Sequence, residues 1–403
     1  EITCRDWSSD VCSSDLSGSK NLENALKWAY GEMKKDGLEN VQLEEVYVPH
    51  WVRGNEFCKM ISPWERNMPF LSLGGSIGTP KEGIKSEIFV VKSFDELEKN
   101  SSKANGKVVI FNIPFINYGQ AVQYRVNGAK AAAQAGAVAS LIRSVTPDQT
   151  QIPHAGVMYY SDTIPKIFHG AISPEDAQML QRMTDWGLNP TLHIYSEAQT
   201  LPDALSHNLM GELKGKLKPE VILAIGGHSD SWDAGTGAHD DASGCIVAWE
   251  AVRLLKKLGL RPKRTIRAVM WVNEENGLRG GTAYANKHKD EPHFLAFEFD
   301  SGLFPPSEIR YTGPDSLFDI VKSYEPLLKK IDNIEVIKGG GGVDISPLMK
   351  QGVNAMSLNT HDEGKYFWYH HSDKDTMDKI DPMDLNKCIA AVALAIYIYA
   401  DLP

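Results

Sequence analysis

Four short stretches of the 403-residue chain gather side chains able to bind a metal. "GGHSDSWDAGTGAHDDASG", Gly226 to Gly244, holds His228, Asp230, Asp233, His239, Asp240 and Asp241. "NEEN" carries Glu274 and Glu275, "FEFD" ends in Asp300, and "WYHHSDKDT" offers His370 and His371. Two imidazoles and three carboxylates, one of them able to bridge, make a mixed nitrogen and oxygen donor set. Such a set suits zinc, with manganese or cobalt as tolerated substitutes. Two ions roughly 3.5–4 Å apart polarise a carbonyl and bring the pKa of a clamped water toward about 7. A free carboxylate alongside can take that water's proton and deliver it to a leaving amine. The chemistry implied is amide hydrolysis. Singly, each group also has a structural role open to it: a satisfied polar histidine, a solvated acidic face, or "DDASG" as a helix N-cap. Their arrival at successive strand ends argues for a site.

The strands that must position them are legible. "EVILAIGG", "TIRAVMWVN" and "HFLAFEFD" are near-continuous apolar runs, as expected of strands covered on both faces. Between the first two, "ASGCIVAWEAVRLLKKLG" has helical apolar spacing and ends at Gly259. The expected fold is α/β, a mostly parallel, mixed sheet sandwiched by helices. In such sheets ligands bind outside the carboxyl ends of the strands. Upstream, Ser17 to Gly37 reads as an amphipathic helix, and "VQLEEVYVPHW" as a strand. The breaker-rich "GGSIGTPKEG" marks a boundary near residue 82. Residues 82–203 have their own strand and helix rhythm without a ligating cluster, so they are expected to be an inserted, smaller, non-catalytic α/β module. Residues 17–81 plus 204–403 then form the catalytic domain.

Net charge is −10, with no basic stripe, which argues against nucleic acid or anionic lipid as a main partner. The longest apolar run, "CIAAVALAIYIYA", is shorter than the roughly 20 residues of a membrane span and is expected to lie in a buried terminal helix. Five scattered cysteines form neither a disulfide framework nor a CxxC site. Residues 1–16, "EITCRDWSSDVCSSDL", repeat Ser-Ser-Asp and lack apolar periodicity. They are expected to be a non-native or disordered leader resembling translated adapter sequence, with Cys4 and Cys12 not native.

In this order, "HSDSWDAGTGAHDDASG", "NEENGLRG", "EFDSG" and "HHSDKDT" resemble the zinc-dependent aminopeptidase and carboxypeptidase family with two cocatalytic metals. "NYGQAVQYRVNGA", "ASLIRSVTP" and "KYFWYHHSDKDTMDKIDP" resemble a carboxypeptidase branch of it, which favours dipeptides. The resemblance runs from about Leu16 to the C-terminus. It implies a zinc-exopeptidase fold with two Zn2+ per chain. His228 and Asp300 would hold one zinc, Glu275 and His371 the other, and Asp240 would bridge. Glu274 would be the general base and acid, and Asp230 would orient the His228 ring. His239 and His370 would be neighbours. Family members commonly have Leu where Ser229 stands. The inserted module resembles a protease-associated domain. The glycine run Lys338 to Leu348 matches a pocket-lining loop, whose Asp344 is a candidate for a substrate amine. Arg125, Arg143 and Arg279 are candidates for a terminal carboxylate. The resemblance also implies short peptide substrates, a homodimer and an extracytoplasmic location. Two rivals share the fold: a glutaminyl-cyclase-like transferase with a single zinc, and a receptor-like binding protein without catalysis.

Overall fold

The computed structural model describes residues 16–402. Apart from Leu16, the expected leader over 1–16 therefore lies outside the described residues. Two compact units are present. One holds the described residues up to Pro49, Asp203–Tyr366 and Lys374 onward; the other holds His50–Pro202 and Phe367–Asp373.

The first unit opens with α1, Lys20–Lys35. The Ser19 hydroxyl accepts from Leu22 N at 3.1 Å, an N-cap, and Gly37 supplies the left-handed residue (φ 75°) that ends the helix. Leu22, Ala25, Leu26, Ala29 and Met33 are its buried face, at helical spacing. Eight strands follow: β1 (Glu39–Val52), β2 (Gln199–Leu213), β3 (Lys218–His228), β4 (Arg264–Trp271), β5 (His293–Glu298), β6 (Pro306–Thr312), β7 (Glu335–Lys338) and β8 (Asn354–Thr360). They form one sheet in the order β1-β2-β4-β3-β5-β8-β6-β7. The centre is parallel, β4 to β3, β3 to β5 and β5 to β8. Antiparallel pairs, β2 with β4 and β6 with β8, flank it. The mixed sheet expected from the apolar runs is observed; every residue of β4 is buried.

The helices of this unit include α2 (Ser243–Lys257), α3 (Arg279–Lys287) and α4 (Pro382–Asp401). Helix α4 has the length and composition of a membrane span. Its Cys388, Ala391, Val392, Ala395, Ile396 and Tyr399 lie in the same hydrophobic core as Val247, Ala251 and Leu255 of α2.

The second unit has its own eight-stranded sheet, flanked by the long helices Tyr118–Gln134 and Pro174–Asp185. It begins at His50, some thirty residues before the boundary expected from the breaker-rich segment. Strand Glu56–Ser62 pairs with Thr191–Ser196 (Phe57 opposite Tyr195), and Phe70–Ser72 pairs with Phe168–Ile172. These partners lie roughly 100 to 140 residues away, so the short strands before residue 82 join a sheet completed much later in the chain.

Candidate metal centre

Strand β3 runs out at His228, and α2 begins at Ser243. The turn between them is held by Asp241. Its carboxylate accepts from His228 N at 3.1 Å and Gly244 N at 2.9 Å. Only glycine fits around it: a Cβ on Gly227 would stand 2.1 Å from Asp241 Oδ2, and one on Gly244 would stand 2.0 Å from Phe299 O. The capping role open to "DDASG" thus belongs to Asp241. Asp240 is turned elsewhere by dihedrals that leave the helical region, φ −128° and ψ 83°, across a cis peptide to Asp241.

Asp375 fixes that turn from the far end of the unit's sequence. It accepts from His239 N at 2.6 Å and Asp240 N at 3.1 Å. In the sequence, its only signal is its place as the second acid of "HHSDKD". His239 accepts from Leu303 N at 3.1 Å and stacks on Phe304. Burial pushes its pKa down to about 4, so it is a neutral structural imidazole.

The remaining groups of the first unit converge. His228 Nε2 lies 3.3 Å from Asp240 Oδ1, 3.9 Å from Asp300 Oδ1 and 3.9 Å from Glu274 Oε2. His228, Asp240 and Asp300 each offer a ligand atom, all within 4.8 Å of one another. His228, Asp240 and Glu275 are buried, whereas the Glu274 and Asp300 side chains retain 18% and 23% exposure, which opens the centre to reactants. Burial would lower the His228 pKa, but Asp240, Glu274, Asp300 and Asp241 hold it well above its ordinary value. Burial pushes Glu274 well up; the His228 charge opposes this, while Asp300, Glu275 and Asp240 reinforce it. One imidazole cannot neutralise this many buried carboxylates. A nitrogen and oxygen donor set with excess negative charge is the chemistry of a divalent cation site, so the residues fit zinc.

Asp230 acts differently from the expectation. The His228 Nδ1 partner is the Asp230 carbonyl, at 2.8 Å, while its carboxylate stands 3.9 Å away. That carboxylate accepts from Asn273 N at 2.8 Å, Glu274 N at 3.0 Å and the Ser17 hydroxyl at 2.7 Å. The charge is spent on three donors, and these hold the turn that presents Glu274. Asn273 is left-handed there (φ 71°), a conformation Asn tolerates better than most residues.

His371 and His370 belong to the second unit. His371 is also left-handed (φ 62°); its carbonyl accepts from Ala155 N at 2.8 Å, and its ring stacks on His370 at 3.5 Å. Its Nδ1 lies 3.3 Å from Arg125 Nη1 and 3.4 Å from Ala155 O. Of the three candidate arginines, Arg279 pairs with Asp203 at 2.5 Å and Arg143 lies against the Gln178 amide. Arg125 is buried and has no carboxylate partner among the described residues; the Tyr118 hydroxyl accepts from its Nη2 at 2.8 Å. Asp344 is 1% exposed, and neither carboxylate oxygen has a hydrogen-bond donor among the described residues. The neighbouring Val343 and Ile345 N–H groups both go to Glu298, at 2.9 Å.

The profile of peptidase family M28 matches residues 208–396. Carboxypeptidase Q from Mus musculus is 44% identical over 98% of this chain and 84% of its own length. The human carboxypeptidase Q is 44% identical with the same coverage. The chain belongs to peptidase family M28. A solved peptidase M28 precursor from Shewanella amazonensis superposes on it with a TM-score of 0.93, at 32% identity, covering 97% of this chain and 91% of that one. A zinc aminopeptidase from Bacillus subtilis shares the fold at a TM-score of 0.70 and 20% identity, over 96% and 93% of the two chains. As an M28 member related to carboxypeptidase Q, the chain is a zinc metallopeptidase that hydrolyses peptide bonds. Neither the cyclase nor the receptor alternative is favoured by these relatives.

Proposed function

We propose that this M28 peptidase is an exopeptidase or dipeptidase acting on short peptides with free ends through two zinc ions. His228 and Asp300 would hold one ion, Glu275 and His371 the other, and Asp240 would be shared by both. The observation that carries the reading is the convergence of His228, Asp240 and Asp300 ligand atoms within 4.8 Å, with Glu274 Oε2 at 3.9 Å from the imidazole. For His371 the assignment rests on its place in the ordered motif.

Bound zinc polarises the peptide carbonyl and lowers the pKa of water. Glu274 carries the proton work. A carboxylate beside the ligands, 3.9 Å from the His228 imidazole, can accept a proton from the attacking water and hold it until the leaving nitrogen takes it. Asp230 keeps that carboxylate in place through the backbone of Asn273 and Glu274. If His371 binds metal through Nε2, its Nδ1 carries the hydrogen, which leaves Arg125 Nη1 in need of an acceptor. The terminal carboxylate of the peptide meets that need, which favours recognition of a free C-terminus. The second unit is read as a protease-associated module, and the homodimer and extracytoplasmic location rest on family resemblance alone.

The test is zinc content per chain after loading and removal of excess, followed by turnover of a dipeptide and of the same dipeptide as its C-terminal amide. Two zincs and faster cleavage of the free acid are expected. One zinc or none refutes the two-ion site, and equal cleavage of acid and amide refutes the role given to Arg125.

A further inference from the structure

The first unit holds a second cluster of titratable groups that hydrolysis does not use, with Glu44, Glu212, Arg267 and His288 buried and Lys287 and Glu291 at its exposed rim. His288 closes the C-terminus of α3 and is 6% exposed. Its Nε2 stands 3.1 Å from both carboxylate oxygens of Glu44 on β1, and its Nδ1 stands 2.9 Å from Glu291 Oε1. Lys287 Nζ lies 2.9 Å from Glu44. Arg267 on β4 pairs with Glu212 on β2 at 2.7 Å and with Glu291 at 2.8 Å. It also approaches His288 Nδ1 at 3.4 Å and donates to the Tyr284 hydroxyl at 3.0 Å. The Tyr284 ring lies 4.5 Å from the imidazole, and its hydroxyl is 3.0 Å from His293 Nε2.

A neutral imidazole has one N–H and one lone pair. With a carboxylate on each nitrogen, only the imidazolium donates on both sides. The neutral ring would turn a lone pair toward one of them, either the buried Glu44 or the part-exposed Glu291. The charges agree: Glu44, Glu212 and Glu291 face two permanent cations, Arg267 and Lys287, and the imidazolium brings the cluster to neutrality. The C-terminal end of α3 favours a cation as well.

We propose that His288 is a proton-operated clamp that, as imidazolium, ties edge strand β1 to the end of α3 and the Glu291 turn, and that opens when the proton leaves. Helix α3 begins four residues after Glu275, so the clamp also restrains the far end of the element that follows the catalytic acids. Burial and Arg267 oppose the charge on His288. Its bonds to Glu44 and Glu291 outweigh them and hold its pKa above the ordinary 6.5. The same contacts hold Glu44 and Glu291 below their ordinary 4.5, against the burial of each. A raised imidazole pKa gives stability that is complete below about 6.5 and is lost as pH rises through the folded value. The depressed carboxylates give stability that is present above 4.5 and lost as pH falls through theirs. The clamp is closed between those limits.

The experiment is thermal unfolding of the zinc-loaded full chain from pH 5.5 to 9, wild type against His288→Gln. The wild type is expected to melt higher by roughly 3–6 °C near pH 6, with the gap closing toward pH 9. A gap that does not change with pH, or no gap, overturns the clamp. Should the variant not fold, hydrogen exchange on the wild type decides. Corrected for intrinsic rates, amides of 39–48 should lose about tenfold more protection than those of 222–226 between pH 6.5 and 9. An unchanged ratio overturns the proposal.

Discussion

Asp230→Asn separates two roles that a buried carboxylate near a metal ligand can play. In the structure its charge is directed to Asn273 N, Glu274 N and the Ser17 hydroxyl, and only its carbonyl reaches the His228 ring. Asn preserves that carbonyl, so the ring keeps its partner and zinc should stay bound. The side chain loses its charge. Hydrogen bonds to a charged group are worth about 1.5–3 kcal/mol and neutral ones about 0.5–1.5, so the two backbone bonds weaken by about 1 kcal/mol each. A destabilisation of about 2–3 kcal/mol follows, concentrated in the turn that presents Glu274. Misplacement of a catalytic group by about 1 Å costs on the order of a hundredfold. The variant is therefore expected to keep its full zinc complement and to lose roughly 10- to 100-fold in kcat. The assay is zinc by atomic emission beside kcat and KM on a dipeptide. Normal kcat would refute the positioning role. Loss of zinc with unchanged kcat per zinc would refute it differently, by returning Asp230 to the orientation of His228.

Glu274→Gln should retain metal and fold while losing about 10²- to 10⁴-fold in kcat, because only the proton carrier is removed; near-normal turnover contradicts the assignment. Asp240→Ala should lower zinc occupancy, and a full complement of two ions would rule out a bridging role. In the second unit, His169 is fully buried beside the Ser140 hydroxyl at 2.7 Å, and burial pushes its pKa down to about 4. Between pH 6.5 and 4 the unfolded chain binds a proton that the folded chain refuses. Stability should therefore fall as pH drops through that range, by about 3 kcal/mol at most. His169→Asn should flatten this slope in denaturant melts, and an unchanged slope would show that other groups set it.

Much of the metal centre is legible in the chain because its ligands sit at the ends of apolar strands. In a parallel sheet those ends all face one edge. "VILAIGGH", "AVMWVNEE" and "FLAFEFD" therefore place His228, Glu274, Glu275 and Asp300 at one edge without knowledge of the loops. Roles set by hydrogen bonding are not legible in this way. "HSD" reads as a histidine with its orienting acid, yet whether carbonyl or carboxylate turns to the ring depends on where Asn273 and Glu274 come to lie. Asp375 is invisible for the same reason, since its donors are backbone groups some 135 residues away. The second unit's start at His50 also escaped, because the strands Glu56–Ser62 and Phe70–Ser72 are short and their partners lie beyond residue 167.

By itself, the sequence determined which side chains could meet a metal, the mixed α/β class and the peptidase family, since residue type and apolar period are local properties. Tertiary structure alone decided what each carboxylate does. Asp240 and Asp241 are adjacent and chemically identical, yet one faces His228 Nε2 and the other is consumed by two backbone N–H groups. Nothing in the residues around His288 signals its partner Glu44, some 244 positions away, which folding lays against it. A carboxylate's role depends on the donors and charges around it, and folding brings those from distant parts of the chain.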